Sequence, residues 1–271
     1  MNESVDGKVV KVEFNSLNEF YNYLCETPLN DVFRWSTKES DSKSSWAKVW
    51  TKTESFEEAS DLFKRGWSDM SDKLVQKLKA EQSRMEPVMV SRNTIGVQGY
   101  HPIVPLYLMG IPTNMVRREM RPAKQKVITL NKSVNYDGSV SSDRIVDESI
   151  KAMLLIKKLE AQNYRCNLNL IMGTYTWGRS FIIKIRIKSA NEKLNVSKLS
   201  FPLVHPSMLR RLLFRFIEVH PLVTSDFISS YGTPTEDNIM RATSPGEYLL
   251  PPFIRKDVNQ VRTLDDLEKI V

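Results

Sequence analysis

The sequence has few of the residues that enzymes use most often for catalysis or metal binding. It has only two cysteines, Cys25 and Cys166, which lie too far apart for a zinc motif, and we expect two buried thiols rather than a disulfide. Its only histidines, His101, His205 and His220, each precede a proline, so we interpret them as structural turn residues. No phosphate-binding glycine loop, dinucleotide-binding glycine pattern or nucleophile elbow is present. These absences predict a protein that is not an enzyme and binds no cofactor or metal.

Long hydrophobic runs are also missing. No stretch approaches the 18 apolar residues of a membrane span, and the polar N-terminal residues contain no apolar signal core. We therefore expect no membrane association and a soluble protein of a reducing compartment, the cytoplasm. The 271 residues, of which 41% are hydrophobic, suffice for one large or two small domains with a real core.

Composition and pattern divide the chain into four regions. Residues 1–83 contain a strand and then several amphipathic stretches, which predict a small, mainly helical N-terminal region. Residues 84–125 are rich in proline and glycine, and we expect them to wrap against the core. Residues 126–235 alternate between strand-like and helix-like patterns and predict an α/β core. Residues 236–271 form a C-terminal tail that ends in a short predicted helix.

The α/β core has the clearest periodicity. "KVITLNKSV" is an apolar strand, and residues 143–162 form the strongest predicted helix, with Ser142 as its N-cap. "YRCNLNLIM" and "SFIIKIRIK" alternate with period two around a glycine-containing turn and predict an antiparallel hairpin. We expect the first two strands to be parallel through a right-handed crossover and the last strand to lie at a sheet edge. "KLSFPLVHP" is predicted as a further strand, followed by a helix over "SMLRRLLFRFIEV". The predicted core positions are Leu154, Ile156, Leu168, Leu170, Ile183 and Ile185.

Positive charge is concentrated in one part of the chain. Residues 179–215 contain nine lysines and arginines and a single acid, Glu192, whereas the whole chain has a net charge of +7. Alternation and helical spacing predict an outward-facing candidate anion-binding surface, which could contact nucleic acid. Protection of a sheet edge and solubility explain the same residues equally well. The candidate residues are Lys184, Arg186, Lys188, Arg210, Arg211 and Arg215. Tyr175 and Trp177, in the hairpin turn, could add stacking surfaces or could pack within the loop.

The order strand, polar turn, helix and hairpin resembles the von Willebrand factor A fold, which implies a mixed sheet flanked by helices. In that fold the first strand ends in an Asp-x-Ser-x-Ser motif that binds Mg²⁺. The matching positions here are Asn131, Ser133 and Asn135, so the leading carboxylate is replaced by an amide. A hard dication prefers anionic oxygen, and we expect a degenerate site without metal. A metal-dependent enzyme would need Asp137 or Asp143 to supply the missing charge.

Four motifs resemble an uncharacterised domain family common in bacteriophage genomes. They are "SFEEASDLFKRGW", "VPLYLMGIPTNM", "LEAQNYRCNLNL" and "HPSMLRRLLFRFIE", within residues 46–235. The resemblance implies a phage or prophage protein in the bacterial host cytoplasm and brings no activity with it. Our first hypothesis is a non-enzymatic adaptor whose degenerate A-domain-like core binds a protein partner, such as a AAA+ ATPase or a virion component. The alternative is a nucleic-acid-binding protein that uses residues 179–215, and the oligomeric state is left open.

Overall fold

A computed structural model describes most of the chain as a mixed α/β fold. The described residues are 1–36, 38–82, 89–122, 126–136, 138–161, 164–177, 179–227, 231, 233–234, 238 and 241–250. Within these ranges, no helix has the length and hydropathy that a membrane crossing requires. Asp137 and the predicted C-terminal helix lie outside them.

The N-terminal residues form two strands and four helices. Their bounds are β1 Asn2–Asp6, β2 Val9–Phe14, α1 Leu17–Glu26, α2 Ser45–Thr51, α3 Phe56–Arg65 and α4 Ser68–Gln82. Serines cap two of these helices, because Ser16 Oγ accepts from the backbone N–H of Glu19 and Ser55 Oγ accepts from that of Glu58. Gly66 ends α3 with a φ of +78°, a conformation that favours glycine.

A small antiparallel sheet follows. It contains β3 Met89–Gly96, β4 His101–Pro102 and β5 Met115–Pro122, in the order β3-β5-β4, with the short helix α5 Val104–Leu108 between β4 and β5. We had predicted that this segment wraps against the core, and that prediction is wrong. Of residues 91–120, only Gly96 is buried. We call residues 89–122 the arm.

The remaining elements complete the main sheet and its helical layer. They are β6 Lys126–Ser133, α6 Ser142–Ala161, β7 Tyr164–Thr176, β8 Arg179–Lys188, α7 Val196–Val204, a π-helical segment Met208–Leu213, α8 Phe214–Val219, β9 Thr233–Pro234 and β10 Glu247–Leu250. Helix α6 matches its prediction within one residue at each end. Its cap is Ser141 rather than Ser142, since Ser141 Oγ accepts from the backbone N–H of Arg144 at 3.4 Å.

The main sheet has the order β1-β2-β8-β7-β6-β10, and β9 pairs with the end of β7. β6 and β7 are parallel, and β7 and β8 are antiparallel, as the sequence predicted. The prediction that β8 is an edge strand is wrong, because β2 pairs with it in parallel. Strands from both ends of the chain therefore join the central unit in one sheet.

One face of the sheet carries the main core, in which strand residues such as Leu170 and Ile183 pack against helical residues such as Ile156. The predicted core positions are buried except Leu154, which is half-buried while its neighbour Leu155 takes the inward position. On the opposite face the described apolar cluster is small: Ile171, Ile182 and Ala242, with Val9 and Leu249 beside them. Among the described residues, most of the apolar core therefore lies on one side of the sheet.

"KLSFPLVHP" is a helix, α7, and its prediction as a strand is wrong. Asn195 caps this helix, with Oδ1 accepting from the backbone N–H of Lys198. Residues 199–204 are all buried, so the apolar run has no alternation that could distinguish a buried helix from a buried strand. Burial on all sides therefore removed the pattern on which the prediction depended.

Candidate functional site

The three residues aligned with a metal motif lie buried at the end of β6. Asn131 and Ser133 are fully buried and Asn135 nearly so. The side chain of Asn135 pairs with the backbone of Gly173 in both directions, donating from Nδ2 at 2.8 Å and accepting at Oδ1 at 2.9 Å. Ser133 Oγ accepts from the backbone N–H of Asn135 at 3.2 Å. Asn135 thus extends the pairing of β6 with β7 beyond the strand.

Asn131 belongs to a polar network that crosses four strands. Its Oδ1 accepts from Asn169 Nδ2 and its Nδ2 donates to Glu247, each at 2.8 Å. Lys184 Nζ donates to both carboxylate oxygens of Glu247 at 2.8 Å. Burial alone would raise the pKa of Glu247, but the hydrogen bonds from Lys184, Asn131 and the backbone of Ser244 outweigh it and lower that pKa. Lys184 therefore fastens β10 to the sheet and is not a free cation.

Lys188 was predicted to face outward with Lys184 and Arg186, and this prediction is wrong. Along β7, one residue step separates the partner of Arg186 from the partner of Lys188, so Ile187 is an extra residue in a β-bulge. The bulge turns Lys188 to the helix-covered face, where its side chain is 2% exposed. Its amine donates to the Cys166 carbonyl at 3.0 Å and pairs with Glu160 of α6 at 2.8 Å.

Arg211 is a second predicted surface cation that the fold buries. It is fully buried, and burial lowers the pKa of its guanidinium. Its guanidinium donates to the carbonyl oxygens of Ser40, Ser42 and Thr53 at 2.9–3.1 Å. Arg211 therefore joins the loop before α2 to the residues that follow α2.

Arg210 and Arg215 also have protein partners. The guanidinium of Arg210 lies 4.6 and 4.8 Å from the ring centroids of Trp46 and Trp50. Arg215 lies 3.6 Å from the buried carboxylate of Glu218. Of the six candidate anion-binding residues, Arg186 is the exposed one, so the structure does not bring them together as one positive surface.

Glu218 is a buried charge that sequence reasoning missed. Its carboxylate accepts from the backbone N–H and the hydroxyl of Ser40, at 2.9 and 2.5 Å, and from the hydroxyl of Tyr231 at 2.6 Å. Burial, followed by the nearby Glu218 charge, raises the pKa of Tyr231. These bonds join α8, the loop before α2 and the residues near β9, which predicts a structural role for Glu218.

Two of the three histidines, His205 and His220, are the buried C-caps of α7 and α8. Burial lowers the pKa of His205 to about 3 and that of His220 to about 4, while His101 is exposed on β4. Burial also raises the pKa of the Cys166 thiol to about 12, whereas Cys25 is exposed, contrary to the prediction of two buried thiols. Across the described ranges we find no cluster of three histidine, cysteine or acidic side chains that could hold a metal ion.

The arm is the largest exposed apolar element that we find in the described chain. Its tip, residues 94–116, contains no lysine, arginine, aspartate or glutamate over 23 residues. Leu108 and Met109 are 78% and 72% exposed, and other large apolar side chains of the tip are exposed with them. These are Ile95, Val97, Tyr100, Val104 and Tyr107. Clustered exposure of large apolar side chains marks an interaction site.

Arginines surround the base of the tip. Arg92 on β3 and Arg117 and Arg118 on β5 are exposed, whereas the one acid of this region, Glu119, is half-buried and lies 4.0 Å from Arg117. The guanidinium of Arg118 packs over the ring of Tyr100 at 5.7 Å. We call Arg92, Arg117 and Arg118 the collar. The uncharged run with arginines on its C-terminal side was the sequence signal that could have identified this element.

Comparison with known proteins adds a family but no activity. A family model described as "Domain of unknown function (DUF7192)" matches residues 2–270. No curated protein and no solved structure matches the chain.

Proposed function

The chain belongs to the DUF7192 family, whose description names no activity, and we propose that it is a non-enzymatic adaptor that binds a protein partner through the arm. The observation that carries this proposal is the exposed, uncharged tip. Fully burying a leucine or methionine side chain contributes about 1.5–3 kcal/mol. Leu108 and Met109 are 78% and 72% exposed, so most of this contribution is available to a partner.

A protein suits the tip better than a nucleic acid does. Phosphate backbones are bound mainly by lysine and arginine, and the tip has neither over residues 94–116. Five of the nine cations in residues 179–215 have protein partners, and four are exposed: Arg179, Arg186, Lys193 and Lys198. The alternative proposal, nucleic-acid binding by residues 179–215, now depends on these four exposed cations and on the exposed rings of Tyr175 and Trp177.

Charge complementarity describes the partner's surface. The collar has three exposed arginines, and the one acid near them is a half-buried glutamate, so its net charge is positive. A cleft with an apolar floor and an acidic rim would therefore fit both the tip and the collar. A second copy of this chain fits less well, because two open grooves on its body are lined by cations. One contains Lys8 and Arg179, and the other contains Lys64, Arg65 and Lys198. The partner that we propose is therefore a different protein.

The finer parts of this proposal come from sequence resemblance. They are a phage origin, a degenerate A-domain-like core, a AAA+ ATPase or virion component as partner, and the bacterial host cytoplasm as location. The proposal that the arm contacts the partner does not depend on these finer parts.

The proposal is tested by crosslinking followed by reconstitution. A photoreactive phenylalanine analogue replaces Tyr107 at the tip, and the same analogue at Val5 is the control, because both side chains are more than half exposed. A protein that crosslinks from Tyr107 and not from Val5 is identified, purified and titrated with the wild type. The double variant Leu108→Ser, Met109→Ser should bind it at least about tenfold more weakly.

A matched control variant, Val5→Ser with Val127→Ser, removes exposed apolar side chains elsewhere and should bind like the wild type. Equal binding by the tip variant and the wild type would refute the proposal. If light scattering shows a dimer of the wild type that the tip variant does not form, the partner is a second copy of this chain and not a different protein. Tip-independent binding of single-stranded DNA or RNA, lost in Arg186→Glu, would favour the alternative.

A further inference from the structure

A second site lies away from the arm, in an open groove between α1, the end of α3 and the start of α7. Three cations line it: Lys64 and Arg65 from the last turn of α3, and Lys198 from the first turn of α7. No carboxylate occurs among its described lining residues. This groove concentrates positive charge that the fold has not paired within its walls.

Amide side chains complete the polar lining. Asn18 and Asn22 lie one turn apart on α1, and Asn195 caps α7 through its Oδ1, which leaves its amide nitrogen as a donor. Amide nitrogens and cationic side chains are all hydrogen-bond donors. A ligand rich in acceptor oxygens and negative charge matches this set, and a phosphate group has both properties.

The wall of the groove is aromatic. The rings of Tyr21 and Phe63 stack with centroids 5.0 Å apart and planes inclined by 13°. Lys64 Nζ lies 5.2 Å from the Tyr21 ring centroid, and its polar interaction with Tyr21 is the main cause that raises its pKa. The Lys64 amine therefore stays protonated at neutral pH. Asp61, one turn earlier on α3, attracts this amine but does not line the groove.

Close packing fixes the groove's geometry. A Cβ atom at Gly66 would lie 2.9 Å from the backbone oxygen of Ser197, so the glycine allows the end of α3 to meet the start of α7. The backbone N–H of Trp67 donates to Ser200 Oγ at 3.0 Å and holds the two helices in this arrangement. Lys64, Arg65 and Lys198 are thus set on elements that are fixed relative to one another.

We propose that this groove binds a phosphate-bearing small molecule, with Lys64, Arg65 and Lys198 contacting the phosphate oxygens and the asparagine amides adding donors. The site is independent of the arm and of any protein partner. Its ligand could be free phosphate or a phosphate carried on an organic group, and the chemistry of recognition is shared between the two. The Tyr21 and Phe63 wall would contact such an organic group.

Isothermal titration calorimetry with inorganic phosphate, pyrophosphate and adenosine 5′-monophosphate tests the site at low ionic strength. The wild type should bind at least one probe at a single saturable site. The variant Lys64→Glu, Arg65→Glu, Lys198→Glu should lose about tenfold or more in affinity, because it replaces attraction with repulsion. A control variant, Lys43→Glu, Lys73→Glu, Lys79→Glu, makes the same charge change at exposed positions outside the groove and should bind like the wild type.

A single substitution controls for misfolding of the triple variant. Asn22→Asp places one carboxylate on an exposed position of the groove wall without removing a cation, and it should also weaken binding about tenfold. Circular dichroism confirms the fold of each variant. Equal affinity for all three probes would identify free phosphate as the ligand, whereas tighter binding of the nucleotide would indicate an organic group against the aromatic wall. Wild-type levels of binding by Asn22→Asp, equal loss in the control variant, or no saturable binding by the wild type would each overturn the proposal.

Discussion

Lowering the pH from 7 to 5 should destabilise this protein through two buried histidines. His205 lies between the rings of Phe201 and Trp67, with centroids 4.9 and 4.6 Å away, and His220 lies 4.9 Å from the ring of Phe181. These rings favour the neutral imidazole, and burial is the main cause of both lowered pKa values. The Glu3 carboxylate, 3.6 Å from His220 Nε2, favours the charged form, but burial outweighs it. Lys52 further disfavours the charged form of His205.

The magnitude follows from the difference in proton binding between the folded and unfolded states. The folded pKa values are about 3 and about 4, and the ordinary value is 6.5, so the unfolded chain binds more protons within this window. The contribution of the two neutral histidines to the unfolding free energy is fully present above pH 6.5 and is lost as the pH falls toward 4. At pH 5, each histidine should have removed about 2 kcal/mol, together about 4 kcal/mol of a total that is typically 5–15 kcal/mol.

Urea unfolding at pH 7 and pH 5 measures this loss. His205→Gln and His220→Gln each keep a hydrogen-bond acceptor but cannot titrate, so each should lower the pH-dependent loss by about 2 kcal/mol. Glu247 does not affect this comparison. Its pKa is lowered from 4.5 by folding, so the stability that it contributes is lost only as the pH falls below about 4.5. The reasoning fails if the wild type loses less than about 1 kcal/mol, or if both variants lose as much as the wild type.

Three further predictions concern the core, the bulge and the end of β6. Leu170→Ala should cost about 2–5 kcal/mol in unfolding free energy, and unchanged thermal stability would contradict its place in the core. Lys188→Met should lower the unfolding free energy by about 1–3 kcal/mol, whereas Arg186→Met, two residues away, should change it by less than about 0.5 kcal/mol. Equal urea midpoints for the two variants would refute the bulge argument. Calorimetry with Mg²⁺ should show no stoichiometric site at the end of β6, and a tight site that Ser133→Ala abolishes would contradict this.

Local patterns predicted the elements whose two sides differ. Helix α6 has apolar residues at helical spacing, and strands β7 and β8 alternate, because each has one face on the core and another that is more polar. The caps at Ser16 and Ser55 were predictable since a cap involves only residues three apart in sequence. Helix α7 was missed because its last residues are buried on every side, so the sequence there has no period.

The candidate basic surface shows the limits of local reasoning more sharply. Alternation placed Lys188 beside Arg186, and one extra residue in the bulge reversed its direction. Arg211 followed helical spacing, yet its partners are backbone carbonyls about 160–170 residues earlier in the chain. Neither a bulge nor a distant acceptor leaves a signal in the few residues around a cation.

The sequence by itself determined an α/β protein, the parallel pairing of β6 with β7, the hairpin that follows and the scarcity of catalytic residue types. These properties depend on side-chain periodicity and residue identity, which are fully contained in short stretches of chain. Only the tertiary structure decided which cations are paired and that the uncharged segment of residues 94–116 projects instead of packing. The physical reason is that burial is shared between segments far apart in sequence. An apolar stretch becomes core only where other parts of the chain pack against it, and residues 94–116 contribute to neither of the two described apolar clusters.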